Sequence, residues 1–176
     1  MPLIRPSRAD DVAAITEIYA QQVLEGTGTF EMEPPSMSEM ALRRADVIAK
    51  GLPYLVVEMD RQVIGYAYCT WFKPRPAYRF SAEDSIYVSP RVHQAGVGRA
   101  LLAELVARAQ AMGIRKLIAV IGDSRNAGSV GVHRSVGFSE VGVLKSCGWK
   151  FGQWLDVVLM ERSLGLGDSA PPAPGQ

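Results

Sequence analysis

Apolar residues along this chain switch between alternating and helical spacing, and the switch points mark its elements. Leu3-Ile4-Arg5-Pro6 reads as a short first strand. Asp10 and Asp11 stand where acidic side chains favour a helix start, ahead of Val12, Ile15, Ile18 and Tyr19 at helical spacing. Thr27-Gly28-Thr29-Phe30 is a turn-rich break, and Ser36 and Ser38 are candidate caps for a second helix through Lys50, closed by Gly51. Pro53 to Met59 and Gln62 to Trp71, rich in Val, Ile, Tyr and Leu, predict a hairpin around Asp60-Arg61. After the stiff loop Lys73-Pro74-Arg75-Pro76-Ala77-Tyr78-Arg79 comes a strand ending at Val88, then a helix from about Gly98 to Met112, stopped by Gly113. Lys116 to Ile121 has the uninterrupted apolar character of a buried strand. A helix from Asn126 to Val136 stops at Gly137, and strands near Val141–Leu144 and Trp154–Glu161 complete the pattern. The order β-α-α-β-β-β-α-β-α-β-β predicts a mixed α/β sheet with only local parallel crossovers.

Composition narrows the possibilities. With 176 residues the chain is long enough for one domain that buries about 70% of its unfolded surface. That domain is expected over residues 1–163, with the Pro/Gly-rich stretch 164–176 a disordered tail. Nineteen basic and eighteen acidic residues leave a net charge of +1, with no basic footprint for nucleic acid. Trp71, Trp149 and Trp154 are not spaced as a stacking platform for bases. No run reaches the length of a membrane span, and the N-terminus lacks a signal-peptide layout. Cys69 and Cys147 are far apart and the two histidines are few, so neither a disulfide framework nor a metal site is indicated, and a cytoplasmic protein is expected.

The most informative stretch runs from Ser85 to Leu102, Ser-Ile-Tyr-Val-Ser-Pro-Arg-Val-His-Gln-Ala-Gly-Val-Gly-Arg-Ala-Leu-Leu. A strand stops at Pro90, a glycine-bearing loop follows, and a helix opens on the second glycine. Unpaired amides at a helix N-terminus attract an anion, and Gly96 and Gly98 let the backbone approach it; a pyrophosphate fits. A dinucleotide fold would place GxGxxG after the first strand, with an acidic residue about 20 positions on. Here the loop follows the fourth strand and reads GxG only, and the Lys-Ser/Thr pair of a Walker loop is absent.

Several pieces together resemble the GNAT superfamily of N-acetyltransferases and, within it, the phosphinothricin and methionine sulfoximine acetyltransferases. They are Thr29-Phe30-Glu31, Ala82 to Arg91, Ala119-Val120-Ile121-Gly122, Asn126 through His133 to Gly137-Phe138, and Lys150 to Val157. The resemblance implies a mixed, mostly antiparallel seven-stranded splayed sheet flanked by about four helices, acetyl-CoA as donor, a small amine as acceptor, and a homodimer. The superfamily signature Gln/Arg-x-x-Gly-x-Gly/Ala is met with His93 in its first place and Gln94 one place later. This departure is expected to weaken cofactor binding, not abolish it, since one side-chain contact costs about 1–3 kcal/mol.

Site residues follow from that resemblance. Ile86, Tyr87 and Val88 would take the pantetheine arm as an added strand, with the Val88 N–H on the developing oxyanion. His93, Gln94, Ala95, Gly96, Val97, Gly98 and Arg99 would cradle the pyrophosphate; Asn126 would cap the next helix and could also bond the arm. Glu83 is the candidate general base, the alternative being a surface ion pair with a neighbouring arginine; His133 is the candidate acid for the leaving thiolate, the alternative being a satisfied core histidine. Arg75, Pro76, Ala77, Tyr78 and Arg79 form the candidate acceptor loop, its guanidinium groups matching a carboxylate, or else a solvated loop. Phe30 walls the acceptor pocket or belongs to the core, and Lys150 and Trp154 are similar candidates.

The expected activity is therefore direct transfer of acetyl from acetyl-CoA to the amine of a phosphinothricin, methionine sulfoximine or methionine sulfone type acceptor, without metal. Neither cysteine has the basic neighbours that would activate it for a covalent intermediate. The alternatives are acetylation of a peptide or protein N-terminus, which an open acidic groove would suit better, and a non-catalytic acetyl-CoA-binding module, which would lack Glu83 or His133.

Overall fold

The computed structural model describes residues 2–92 and 96–172, so His93, Gln94 and Ala95 of the expected phosphate loop lie outside the described residues. Strand β1 (Leu3–Pro6) pairs antiparallel with β2 (Tyr54–Met59). Between them a 3-10 turn at Ala9–Asp11 leads into α1 (Val12–Glu25), followed by α2 (Met37–Ala49). Arg5 ties this corner together, reaching Asp11 and Glu58 at 2.8 Å each. Of the two candidate caps for α2, Ser36 is the one used: its hydroxyl accepts the Glu39 N–H at 3.2 Å. Such a cap contributes about 1 kcal/mol.

Strand β3 (Gln62–Trp71) returns from β2 through Asp60 and Arg61, whose φ angles of +50° and +64° suit the right-handed twist of a two-residue hairpin. β4 (Ser81–Val88) pairs antiparallel with β3, and α3 (Val97–Ala111) then carries the chain to β5 (Lys116–Gly122), parallel to β4. Next come α4 (Ala127–Ser135), β6 (Ser139–Lys150) and β7 (Gln153–Ser163). The seven strands order as β1-β2-β3-β4-β5-β7-β6, with β4 and β5 the one parallel pair among the described residues. This is the mixed, mostly antiparallel sheet with four helices expected above.

The helices divide over the two faces. Tyr19 of α1 packs edge-on against Tyr87 with centroids 5.1 Å apart, so α1 and its neighbour α2 cover the face bearing Glu83, Ser85 and Tyr87. α3 and α4 cover the face bearing Ala82, Asp84, Ile86 and Val88, where Leu101, Leu102 and Leu105 are fully buried. Each of those leucines contributes about 1.5–3 kcal/mol through burial.

β6 runs well beyond the Val141–Leu144 expected from alternation. Its register shifts between Leu144 and Gly148, and Ser146 sits at φ +52°, so a bulge erases the period-two pattern. At the C-terminus Leu164 is buried, and the Arg115 guanidinium donates to the carbonyls of Gly167, Ala170 and Pro171. No helix among the described residues is long and apolar enough to cross a membrane.

Candidate active site

The site begins where the sheet splits. β4 and β5 pair from Ser81↔Lys116 to Asp84↔Ala119; beyond that β5 continues on β7 alone, leaving the Ser85–Val88 edge of β4 unpaired. The Ser89 N–H donates to Ile64 O at 2.8 Å across β3, so strand alternation turns the Ile86 and Val88 backbone groups into the gap. Gln22 of α1 reaches Val88 O at 3.5 Å from the other side. The cleft has a volume of about 280 Å³, and Ile86, Tyr87, Val88, Gly98 and Asn126 line it. An unpaired strand edge inside a cleft is a template for an extended ligand carrying amide groups.

One end of the cleft meets the start of α3. Gly96 occupies the N-cap at φ +102°, a left-handed conformation a side chain rarely adopts, and the first-turn amides of Val97, Gly98 and Arg99 have no helical carbonyl to bond. Val97 is buried and the Arg99 side chain is exposed. A Cβ on Gly98 would stand 3.5 Å from Val132 and 3.8 Å from Val88, so a side chain there would fill the cleft floor. Asn126 caps α4, its Oδ1 accepting the Ser129 N–H at 3.1 Å, while its Nδ2 faces Gly28 across the cleft.

Glu83 lies on the opposite face of β4 from the helix pair α3 and α4, half-buried. Burial, reinforced by the Asp84 charge, raises its pKa above the ordinary carboxylate value, with Lys73 opposing. No hydrogen bond or ion pair to the Glu83 carboxylate is present among the described residues, so the surface ion pair weighed from sequence is not formed. A carboxylate without hydrogen-bond partners and raised in pKa is a better proton acceptor than an ordinary carboxylate.

His133 is buried on α4, and both of its nitrogens are engaged. Nε2 stands 2.9 Å from Asp84 Oδ2 and Nδ1 stands 2.8 Å from the Ser129 carbonyl. Burial would lower its pKa, but the Asp84 carboxylate outweighs this and the ring titrates above its ordinary value. His133 lines the cleft, yet no ring nitrogen is left over to meet a thiolate directly.

The acceptor candidates are more dispersed. Residues Arg75 to Arg79 lie exposed in a turn around the 3-10 segment Pro76–Tyr78; Tyr78 packs edge-on against Phe72, and the Arg79 guanidinium lies 4.5 Å from the centre of the Phe80 ring. Phe30 is wedged against β6, where a Cβ on Gly148 would fall 2.4 Å from its ring. Lys150 is buried, with its ammonium donating to the carbonyls of Gly26 and Thr29 at 2.9 and 2.8 Å, and burial lowers its pKa. Trp154 is exposed against Trp149, their ring centres 5.2 Å apart. None of these residues lines the cleft between β4 and β5.

Asp84, Ser129, Gln22 and Lys73 were missed as site residues. Asp84 had one available signal, a carboxylate beside Glu83 in an apolar strand, whose alternation must turn one of the two inward.

A split sheet with one parallel pair, an open strand edge leading to a glycine-turned helix start, and a carboxylate without a hydrogen-bond partner among the described residues are the arrangement expected of an acyl-transfer enzyme. Residues 4–159 match the acetyltransferase (GNAT) domain, and the chain belongs to this family. It is 52% identical over 169 residues to phosphinothricin N-acetyltransferase of Alcaligenes faecalis, covering 96% of this chain and 86% of the relative. It is 33% identical over 169 residues to the L-methionine sulfoximine/L-methionine sulfone acetyltransferase of Pseudomonas aeruginosa, covering 96% of this chain and 98% of that one. The crystal structure of a GNAT superfamily phosphinothricin acetyltransferase from Sinorhizobium meliloti, in complex with AcCoA, matches with a TM-score of 0.95 at 46% identity. That match covers 99% of this chain and 94% of the other. The protein is thus an N-acetyltransferase, which sets aside the non-catalytic module.

Proposed function

We propose that the protein transfers acetyl from acetyl-CoA to the amine of a small amino-acid-like acceptor of the phosphinothricin, methionine sulfoximine or methionine sulfone type. The observation that carries this is the open edge of β4 with Glu83 on its other face, so that a donor and an acceptor can meet through the split sheet. The names of the relatives support the acceptor class, and the AcCoA-bound neighbour supports the donor.

Acetyl-CoA supplies the activated thioester; the chain supplies the rest. Ile86 and Val88 bond the pantetheine amides, and the Val88 N–H stabilises the oxyanion as the amine attacks. The amides of Gly96 to Arg99, together with His93, Gln94 and Ala95, hold the pyrophosphate. Asn126 adds its Nδ2 to the arm. Glu83 takes the amine proton, directly or through a water, and the acetyl group passes without an enzyme-bound intermediate. Arg75 and Arg79, with Pro76, Ala77 and Tyr78, form the acceptor side with Phe30, their guanidinium groups pairing with the acceptor carboxylate. The active form is a cytoplasmic homodimer, supported by two free thiols and by the apolar strip on β6 and β7.

The test is thiol release from acetyl-CoA across phosphinothricin, methionine sulfoximine, methionine sulfone, the common amino acids and short peptides. Turnover with the analogues alone is expected. Turnover with peptides alone would move the acceptor to a protein N-terminus and overturn the proposal.

A further inference from the structure

Asp84, His133 and Ser129 form a connected chain of polar groups from the protein interior to the wall of the cleft. The Asp84 side chain is completely buried; Oδ2 meets His133 Nε2 at 2.9 Å, and Oδ1 has no partner. A buried carboxylate with one oxygen unpartnered gains most from a positively charged neighbour. The carbonyl of Ser129 can only accept, so His133 Nδ1 carries a hydrogen, and opposite a carboxylate Nε2 carries one as well. The Ser129 hydroxyl stands 3.5 Å from the same nitrogen, farther than the carbonyl at 2.8 Å. Ser129 is half-buried and lines the cleft one helical turn before His133.

We infer that the Ser129 hydroxyl is the catalytic proton donor to the sulfur leaving the thioester, with His133 recharging it and Asp84 as the positioning residue. This rests on the acetyl-CoA reading above. As the carbon–sulfur bond breaks, its electron pair goes to sulfur, and sulfur takes the Oγ proton. Oγ takes the proton of His133 Nδ1, leaving a neutral imidazole whose Nε2–H stays on the Asp84 carboxylate. Solvent returns one proton to His133 while Glu83 releases to solvent the one it took from the amine, so the cycle closes.

The carboxylate therefore selects which nitrogen can give up its proton, the Nδ1 that meets the Ser129 carbonyl at 2.8 Å with the Ser129 hydroxyl at 3.5 Å. The groups facing the ring are Asp84 from β4, Ser129 on its own helix, and Phe138, edge-on at 5.1 Å. Cys69 of β3 pairs across from Asp84, its thiol pushed up chiefly by burial and further by that carboxylate. Asp84 is thus the charge to which His133 responds.

The test compares Ser129→Ala, Ser129→Thr and Asp84→Asn with the wild type in kcat against pH, acetyl-CoA affinity by calorimetry, and His133 titration by NMR. Ser129→Ala is expected to lower kcat about 100-fold, with acetyl-CoA affinity and melting temperature unchanged, because the cap on α4 uses the Ser129 backbone and not its hydroxyl. It should also lose the fall in kcat at high pH that deprotonation of His133 imposes on the wild type. Ser129→Thr, which restores a hydroxyl, should recover most of kcat. Asp84→Asn should move the His133 titration to lower pH, and the alkaline limb with it. Wild-type kcat and an unchanged alkaline limb in Ser129→Ala would overturn the relay, as would loss of acetyl-CoA affinity in step with kcat. A wild type inactive with every acceptor would strike the proposed function instead.

Discussion

Glu83 and Asp84 are consecutive carboxylates with opposite fates, because a strand sends consecutive side chains to opposite faces. Glu83 stays half-buried without a hydrogen-bond partner among the described residues and has a raised pKa; Asp84 is buried and bound to His133. Protonation of Glu83 as the pH falls through its raised pKa removes the proposed base, so kcat/KM should decline on the acid side at a higher pH than an unshifted carboxyl would give. Glu83→Gln should lower kcat about 100-fold or more and leave acetyl-CoA affinity nearly unchanged. Equal loss of both would make Glu83 structural. Lys73 opposes the rise, so Lys73→Met should shift the acid limb to higher pH; superimposable profiles would show that the two groups do not communicate. Glu83 could be singled out from the sequence because its motif is local. Asp84 could not, because its partner lies on a helix reached only after the next strand, and no spacing announces a pairing made through the fold.

At the scale of elements, the positions of nearly all strands and helices were legible from periodicity, since each buries one face and is closed by a glycine or a turn. β6 was the exception. Its bulge between Leu144 and Gly148 breaks the alternation that would have marked the strand. The same bulge receives Phe30 from the loop after α1, so a segment that reads as a turn-rich break becomes a fixed wall. Gly148→Ala would bring a Cβ to 2.4 Å from the Phe30 ring, and this overpacking should cost about 1–3 kcal/mol in urea unfolding. Adding Phe30→Ala should remove most of that cost, giving a coupling between the two sites. Additive losses would mean the ring does not occupy the space above Gly148. Lys150 secures the same loop from below by donating to the Gly26 and Thr29 carbonyls. Lys150→Met leaves the buried Thr29 carbonyl and the part-buried Gly26 carbonyl without their donor and should cost about 1–3 kcal/mol.

For the whole molecule, the outer end of the sheet is the feature that a single chain leaves unresolved. β6 is an edge strand of twelve residues, and a long unprotected edge invites pairing with another chain. Around it Val141, Leu144, Trp149, Phe151 and Trp154 are all about half exposed or more. Trp149 and Trp154 face each other across the β6–β7 register, so their rings form one apolar surface and not scattered points. Aromatic side chains grouped in this way are the usual anchors of a protein interface. A second copy covering this strip would protect both the edge and the rings. The same end of the sheet carries the bulge that holds Phe30, so the proposed interface and the proposed acceptor wall share β6. Light scattering should accordingly give a mass twice the 19.1 kDa of one chain. Trp154→Glu, which places a charge in the centre of the strip, should give monomers and raise KM for the acceptor more than for acetyl-CoA. A wild-type mass of one chain would remove the dimer, and a monomeric variant with unaltered acceptor KM would separate the interface from the site.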